Sequence, residues 1–126
     1  MAQVPANLFY SASHQWLALE ADGTARVGIT DFAQEALGDV VFVEFPSLGQ
    51  SVAKDEACAV VESVKSASDI FSPVSGTVIE INAELESAPE KINQAPYGAW
   101  LFKLQLGDAG DTKTLLAAAA YRDITE

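Results

Sequence analysis

Apolar and polar positions alternate with a period of two over much of the chain, which predicts a mainly β protein. Leu17 and Leu19 stand between smaller or polar neighbours. Asp22-Gly23 interrupts the run, and Ala25, Val27 and Ile29 resume it, the pattern of a hairpin. Asp31 followed by Gln34 resembles a capping box, with Phe32, Ala33 and Leu37 inside and Gly38 as the stop, so a two-turn helix is predicted there. Val40 to Phe45 reads as a strand ended by Pro46, and Ser47 to Asp55 as a turn-rich connection. Ala57 to Val64 and Ile70 to Ile81 are the next strands, with Pro73 and Gly76 marking a bend or bulge within the second. Glu84 to Asn93 reads as loop with a helical turn broken by Pro89, and Trp100 to Leu106 as the last strand. From about Thr112 onward Leu115, Leu116, Ala119 and Ala120 recur at helical spacing, predicting a C-terminal helix.

Two strand-like segments resemble each other. Gly38-Asp39-Val40-Val41-Phe42-Val43 and Gly76-Thr77-Val78-Ile79-Glu80-Ile81 both run glycine, any residue, then Val-apolar-x-apolar. Ordinary strand composition can produce such a match, and a fold with two similar halves would also produce it.

A chain of 126 residues fits one domain over 1–126, and a hydrophobic content of 49% supports a real core. Eighteen acidic residues against seven basic ones give a net charge of −11, spread over both halves. Such a charge favours solubility and disfavours nucleic acid and anionic membrane as partners. Cys58 is the only cysteine, so no intrachain disulfide forms, and in Ala57-Cys58-Ala59-Val60-Val61 it reads as a small core residue. No run suits a membrane span, and the first ten residues show neither a signal nor a transit pattern. A cytoplasmic, bacterial protein is expected, or a mitochondrial matrix protein if the chain is a processed eukaryotic form. One His, one Cys and no metal-spaced cluster leave side-chain catalysis with little support, and no metal site is expected.

The chemistry points to a lysine. Lys65 is the only basic residue between Lys54 and Lys91, and it stands between the strand-like runs 58–61 and 70–78. At a hairpin tip its amine is held out on a flexible stem where another protein can reach it, as a covalently attached arm requires. A plain solvated turn lysine is the alternative for an arbitrary hairpin.

The string Glu62-Ser63-Val64-Lys65-Ser66-Ala67-Ser68-Asp69, followed by Ser72-Pro73-Val74-Ser75-Gly76, resembles the lipoyl-attachment segment of glycine cleavage H proteins. Further matching blocks follow the same order: 14–16, 27–30, 33–43, Ile92-Asn93, Pro96-Tyr97-Gly98 and 115–121. The resemblance implies a lipoyl- and biotinyl-carrier-like flattened β-barrel, a barrel-sandwich hybrid with short helices including a C-terminal one. It further implies lipoate on Lys65 as N6-lipoyllysine, and a carrier rather than an enzyme. Its partners would be glycine decarboxylase (P protein), the tetrahydrofolate-dependent aminomethyltransferase (T protein), dihydrolipoamide dehydrogenase (L protein) and lipoylating enzymes. A monomeric shuttle fits that role.

By the same resemblance, Glu62, Val64, Ser68 and Asp69 belong to the recognised hairpin, although Glu62 reads equally well as an exposed strand carboxylate. Ser13, His14, Gln15 and Asp69 would form a cleft for the loaded arm, with Asp69 meeting the cargo amine. Relatives usually have Glu where this chain has Gln15, and one more residue before Trp100. These departures keep open a relative that serves mainly as a lipoate donor or relay, or as a non-catalytic binding protein. An acid-dehydrogenase lipoyl module would instead show Asp-Lys-Ala and linkers, and a biotinyl carrier Met on both sides of the lysine.

Overall fold

The computed structural model describes residues 4–20, 22–107 and 115–125. Its strands form two antiparallel sheets. The larger is built, in spatial order, from β1 (Phe9–Tyr10), β2 (Gln15–Leu19), β3 (Thr24–Ile29), β9 (Phe102–Leu106), β8 (Gly76–Ile81) and β5 (Ser51–Val52). The smaller is β4 (Val40–Glu44), β6 (Ala57–Ser63) and β7 (Ala67–Phe71). The two sheets are not joined into a closed barrel; the expected mainly β class, with short helices and a C-terminal one, is what the chain adopts.

Period-two patterning decides what fills the core. Val27 and Leu104 of the larger sheet and Val43, Val61 and Ile70 of the smaller belong to one buried cluster. The β2–β3 hairpin forms as expected, with Leu17 opposite Val27. Asp22 Oδ1 accepts bonds from the Thr24 amide at 3.2 Å and its hydroxyl at 2.5 Å, which fixes the turn.

The self-similar segments lie on β4 and β8, one in each sheet. The ladder of each slips at the same place in the repeat: between Val40 and Phe42 against β6, and between Val78 and Glu80 against β9. Val41 and Ile79, the residues spanned by the two slips, are both exposed apolar side chains. A shared bulge at matched positions is what two related halves produce, and chance strand composition does not require it.

Several boundaries differ from expectation. The Ile70–Ile81 run is two strands in different sheets, because Pro73 cannot donate to a ladder and the chain crosses over at residues 72–75. Ser72, fully buried, donates its hydroxyl to Val74 O at 2.6 Å and its amide to Glu56 O at 2.9 Å across that crossover. The expected loop 47–55 contributes the short strand β5. Trp100 lies before β9. Two short helices, α2 (Glu84–Ser87) and α3 (Lys91–Gln94), flank Pro89.

Helix α1 (Asp31–Leu37) is capped one residue earlier than expected. Thr30 Oγ1 accepts from the Ala33 amide at 3.2 Å, while Asp31 sits in the first turn and accepts from Gln34 Nε2 at 2.6 Å. A carboxylate in the first turn is favoured by the helix dipole, so both residues are suited to their places. Helix α4 (Ala118–Thr125), by contrast, starts later than expected. Leu116 is instead paired with Tyr10 through reciprocal backbone bonds of 2.7 and 2.8 Å. The helix turns Ala118 and Tyr121 inward and leaves Ala119 and Ala120 exposed. Thr112 lies outside the described residues.

Candidate functional site

Lys65 occupies the tip of the β6–β7 hairpin and is exposed. Ser63 closes the loop: its amide donates to Ser66 O at 2.7 Å, and its hydroxyl accepts from the Lys65 and Ser66 amides at 3.3 and 3.2 Å. Val64, 70% exposed, donates its amide to Asp39 O at 3.0 Å and so ties the tip to the turn after α1. The aliphatic stem of Lys65 lies across Gly38; a Cβ there would stand 3.2 Å from Lys65 Cε. Lys54, Lys91 and Lys103 each pair with a carboxylate, and among the described lysines Lys65 alone makes no ion pair.

Beside this tip is a cleft of about 200 Å³. Ser13, His14, Gln15 and Ser68 give it polar atoms, and Ile29, Phe32, Ala33, Ala36, Leu37 and Ile70 give it an apolar wall. Helix α1 thus supplies much of the wall, and its C-terminal glycine supports the Lys65 stem.

Gln15 is 2% exposed. Its Oε1 accepts from the hydroxyls of Ser11 at 2.8 Å and Ser13 at 2.6 Å, and its Nε2 donates to Ser13 O at 2.9 Å. His14 adopts φ +72°, a region histidine enters more readily than bulky residues do. Its ring packs on Phe32 with centroids 4.7 Å apart, and its Nδ1 is 2.7 Å from the Tyr121 hydroxyl. That hydroxyl is also 2.7 Å from Thr30 Oγ1. Burial lowers the His14 pKa and raises that of Tyr121 to about 12, so both are uncharged at neutral pH.

The expected site residues do not all converge. Ser13, His14, Gln15 and Ser68 line the one cleft, whereas Asp69 is exposed on the other face of β7 and lines a separate depression with Glu44 and Cys58. Strand alternation makes this unavoidable: Ile70 and Ser68 share the inward side and Asp69 must point away. The cleft therefore lacks the carboxylate expected from Asp69. Glu62 is half-buried on β6, between Phe42 and Ala67 in the neighbouring strands. Cys58 sits 3.7 Å from Ile70 O, and burial pushes its thiol up to about 11, which suits packing and not a nucleophile. Thr30, Tyr97 and Tyr121 also support the cleft, and the sequence pattern does not mark them for that role. Tyr97 accepts the Asp31 amide at 3.1 Å through its hydroxyl, within one of the blocks that carried the resemblance but without a local pattern announcing the contact.

An exposed lysine on a braced hairpin, next to an apolar cleft, is the arrangement of a carrier of a tethered group. Residues 8–126 match the family model described as glycine cleavage H-protein. The chain belongs to the glycine cleavage H-protein family.

It is 58% identical over 123 residues to the glycine cleavage system H protein of Nitrosomonas eutropha, covering 98% of this chain and 95% of that one. It is 57% identical over 121 residues to that of Azoarcus sp., covering 96% and 95%. The crystal structure of a glycine cleavage system H protein from Mycobacterium marinum superposes with a TM-score of 0.83 at 40% identity, covering 95% of this chain and 97% of that one. A member of this family is a lipoyl carrier of the glycine cleavage system and not one of its catalytic enzymes. Partner proteins of that system follow from the same membership. Among the described residues no helix is long and apolar enough to cross a membrane.

Proposed function

We propose that lipoate is carried on Nζ of Lys65 as an amide, within a single carrier domain spanning 1–126. The arm serves three partners in turn: glycine decarboxylase, the tetrahydrofolate-dependent aminomethyltransferase and dihydrolipoamide dehydrogenase. The observation that carries this reading is the Lys65 stem resting on Gly38, at the end of the helix whose side chains wall the cleft. An unpaired amine at an exposed tip suits acylation, and a cleft walled by Phe32, Ala36 and Leu37 suits an apolar chain ending in sulfur.

Held on Lys65, lipoate would supply reversible thiol–disulfide chemistry at the end of the arm. The chain's own residues do the rest. Ser63 and Asp39 hold the hairpin, so the amine is presented in one shape to each partner. The apolar wall excludes water from the tethered group, and Gln15 with the Ser13 hydroxyl offers neutral hydrogen-bonding atoms at its polar end.

Peptide mapping of the protein after treatment with a lipoylating enzyme should place lipoate on Lys65. Lys65→Arg should keep the parent melting temperature, since the tip is exposed, and take up no lipoate. Lipoate on Lys54, Lys91 or Lys103, or retained in the Arg variant, would overturn the assignment. The uncharged cleft favours a second reading, a lipoate donor or relay that does not shelter a cationic cargo. Glycine–bicarbonate exchange with glycine decarboxylase separates the two: the carrier supports it at a useful rate and the donor does not.

A further inference from the structure

We infer that Asn93 is a positioning residue for the Lys65 hairpin, acting from α3 through the turn on which the hairpin rests. The inference builds on the reading of Lys65 as the attachment site. Three bonds converge on one carboxamide. Asn93 Oδ1 accepts the Val40 amide at 2.8 Å, while Nδ2 donates to Gly38 O at 2.9 Å and to Gln34 Oε1 at 3.0 Å. The orientation of the amide is fixed by its partners, because the Val40 N–H requires an acceptor and Gly38 O a donor.

The side chain thereby stands in for a strand. β4 is an edge of the smaller sheet, and Val40, itself 3% exposed, would otherwise turn an unpaired amide into a buried region. Asn93 grips the residues on both sides of Asp39, namely Gly38 and Val40. Asp39 O is the acceptor of the Val64 amide, and Gly38 carries the Lys65 stem. Gly38 holds φ +86°, a left-handed conformation that L side chains avoid, so the turn has no room to be rebuilt around a different residue. The path from α3 to the attachment tip therefore has two steps: carboxamide to turn, and turn to the Val64 amide and Lys65 stem. Asn93 touches neither the reacting atoms nor the cleft, and its effect is to fix where the arm begins.

Asn93→Asp tests this in the full chain, before any lipoylation. The introduced carboxylate is nearly isosteric and can still accept from Val40, but it cannot donate to Gly38 O or Gln34 Oε1. Amide hydrogen exchange at Val64 should become about tenfold faster, the effect of one neutral hydrogen bond. Exchange at Leu101, whose amide bonds to Val27 O in the larger sheet, should stay as in the parent. In lipoylation assays the KM for the carrier should rise while kcat is retained, because the amine is intact and only its presentation is altered. Unchanged Val64 exchange in the folded variant would overturn the proposal, as would faster exchange at Val64 and Leu101 alike. Should Asn93→Asp fail to fold, the neutral and shorter Asn93→Ser decides by the same two amides. A parent protein lipoylated elsewhere than Lys65 would defeat the attachment reading alone, since Val64 exchange reports on the brace without lipoate.

Discussion

His14 and Tyr121 are joined by a 2.7 Å hydrogen bond between imidazole Nδ1 and the phenol oxygen, across 107 residues of sequence. The same phenol reaches Thr30, the N-cap of α1, so one hydroxyl links the C-terminal helix, the β1–β2 turn and the helix that walls the cleft. Tyr121 also stacks on Tyr10, with centroids 4.7 Å apart and planes 10° from parallel.

Tyr121→Phe keeps that stack and removes only the hydroxyl. Thr30 Oγ1 and His14 Nδ1 each lose a partner in a largely buried place, and the variant should lose about 1–3 kcal/mol. Urea denaturation checks this: the midpoint should fall with an unchanged m-value. A midpoint equal to the parent's would show that the hydroxyl adds nothing to the docking of α4.

Burial holds His14 below the ordinary histidine value of 6.5. The unfolded chain then binds the proton more readily than the folded one, so this group makes stability rise with pH. Its contribution is complete above about pH 6.5 and is lost as pH falls toward the folded value. His14→Asn is the suitable comparison because Asn tolerates the positive φ at this position. The stability difference between parent and variant should be flat above about pH 7 and shrink below about pH 6. Parallel pH profiles would remove His14 as the source of the slope.

Gly28 and Gly49 should respond differently to alanine. A Cβ on Gly28 would stand 2.6–2.7 Å from the Trp16 indole, which is 2% exposed and anchored by its Nε1–H to Pro96 O at 3.0 Å. The ring has nowhere to move, and a loss of about 1–3 kcal/mol with altered tryptophan fluorescence is expected. Gly49 faces open space at φ +83°, so Gly49→Ala meets only the left-handed penalty of about 1–2 kcal/mol and leaves the fluorescence alone. A fluorescence change in Gly49→Ala and none in Gly28→Ala would contradict the packing described for Trp16.

What the sequence made legible was whatever a period or a contiguous motif carries. The β2–β3 hairpin, helix α1 and the lysine tip all lie within a few residues of the pattern that predicted them. Contacts between distant segments were not legible. Nothing near Asn93 announces that its amide will meet Val40 and Gly38, and nothing near Tyr121 announces His14. The β7–β8 crossover was hidden because Ile70, Val74 and Val78 are all buried, and an apolar run does not say which sheet each residue faces. Asp69 is a different case. Alternation from Ile70 places Ser68 inward and Asp69 outward, against the place that the resemblance to relatives implies for Asp69.

Gln15→Glu and Asp69→Asn together distinguish the cleft from the opposite face of β7 as the place of the cargo amine. In Gln15→Glu one oxygen keeps the hydroxyls of Ser11 and Ser13, bonds that the charge strengthens. The other oxygen faces Ser13 O, where Nε2 now donates, and the side chain is almost fully buried. Stability at neutral pH should therefore fall by about 1–3 kcal/mol, and the deficit should shrink in acid as the carboxyl takes up a proton. The same carboxylate gives the cleft its first negative charge, so an ammonium on the tethered cargo gains a partner there. After charging by glycine decarboxylase, Gln15→Glu should release ammonia and formaldehyde more slowly than the parent. Asp69→Asn should release them at the parent rate, because that side chain lines the opposite face of β7. Faster release from Asp69→Asn, with no change in Gln15→Glu, would move the cargo amine out of the cleft and onto that opposite face.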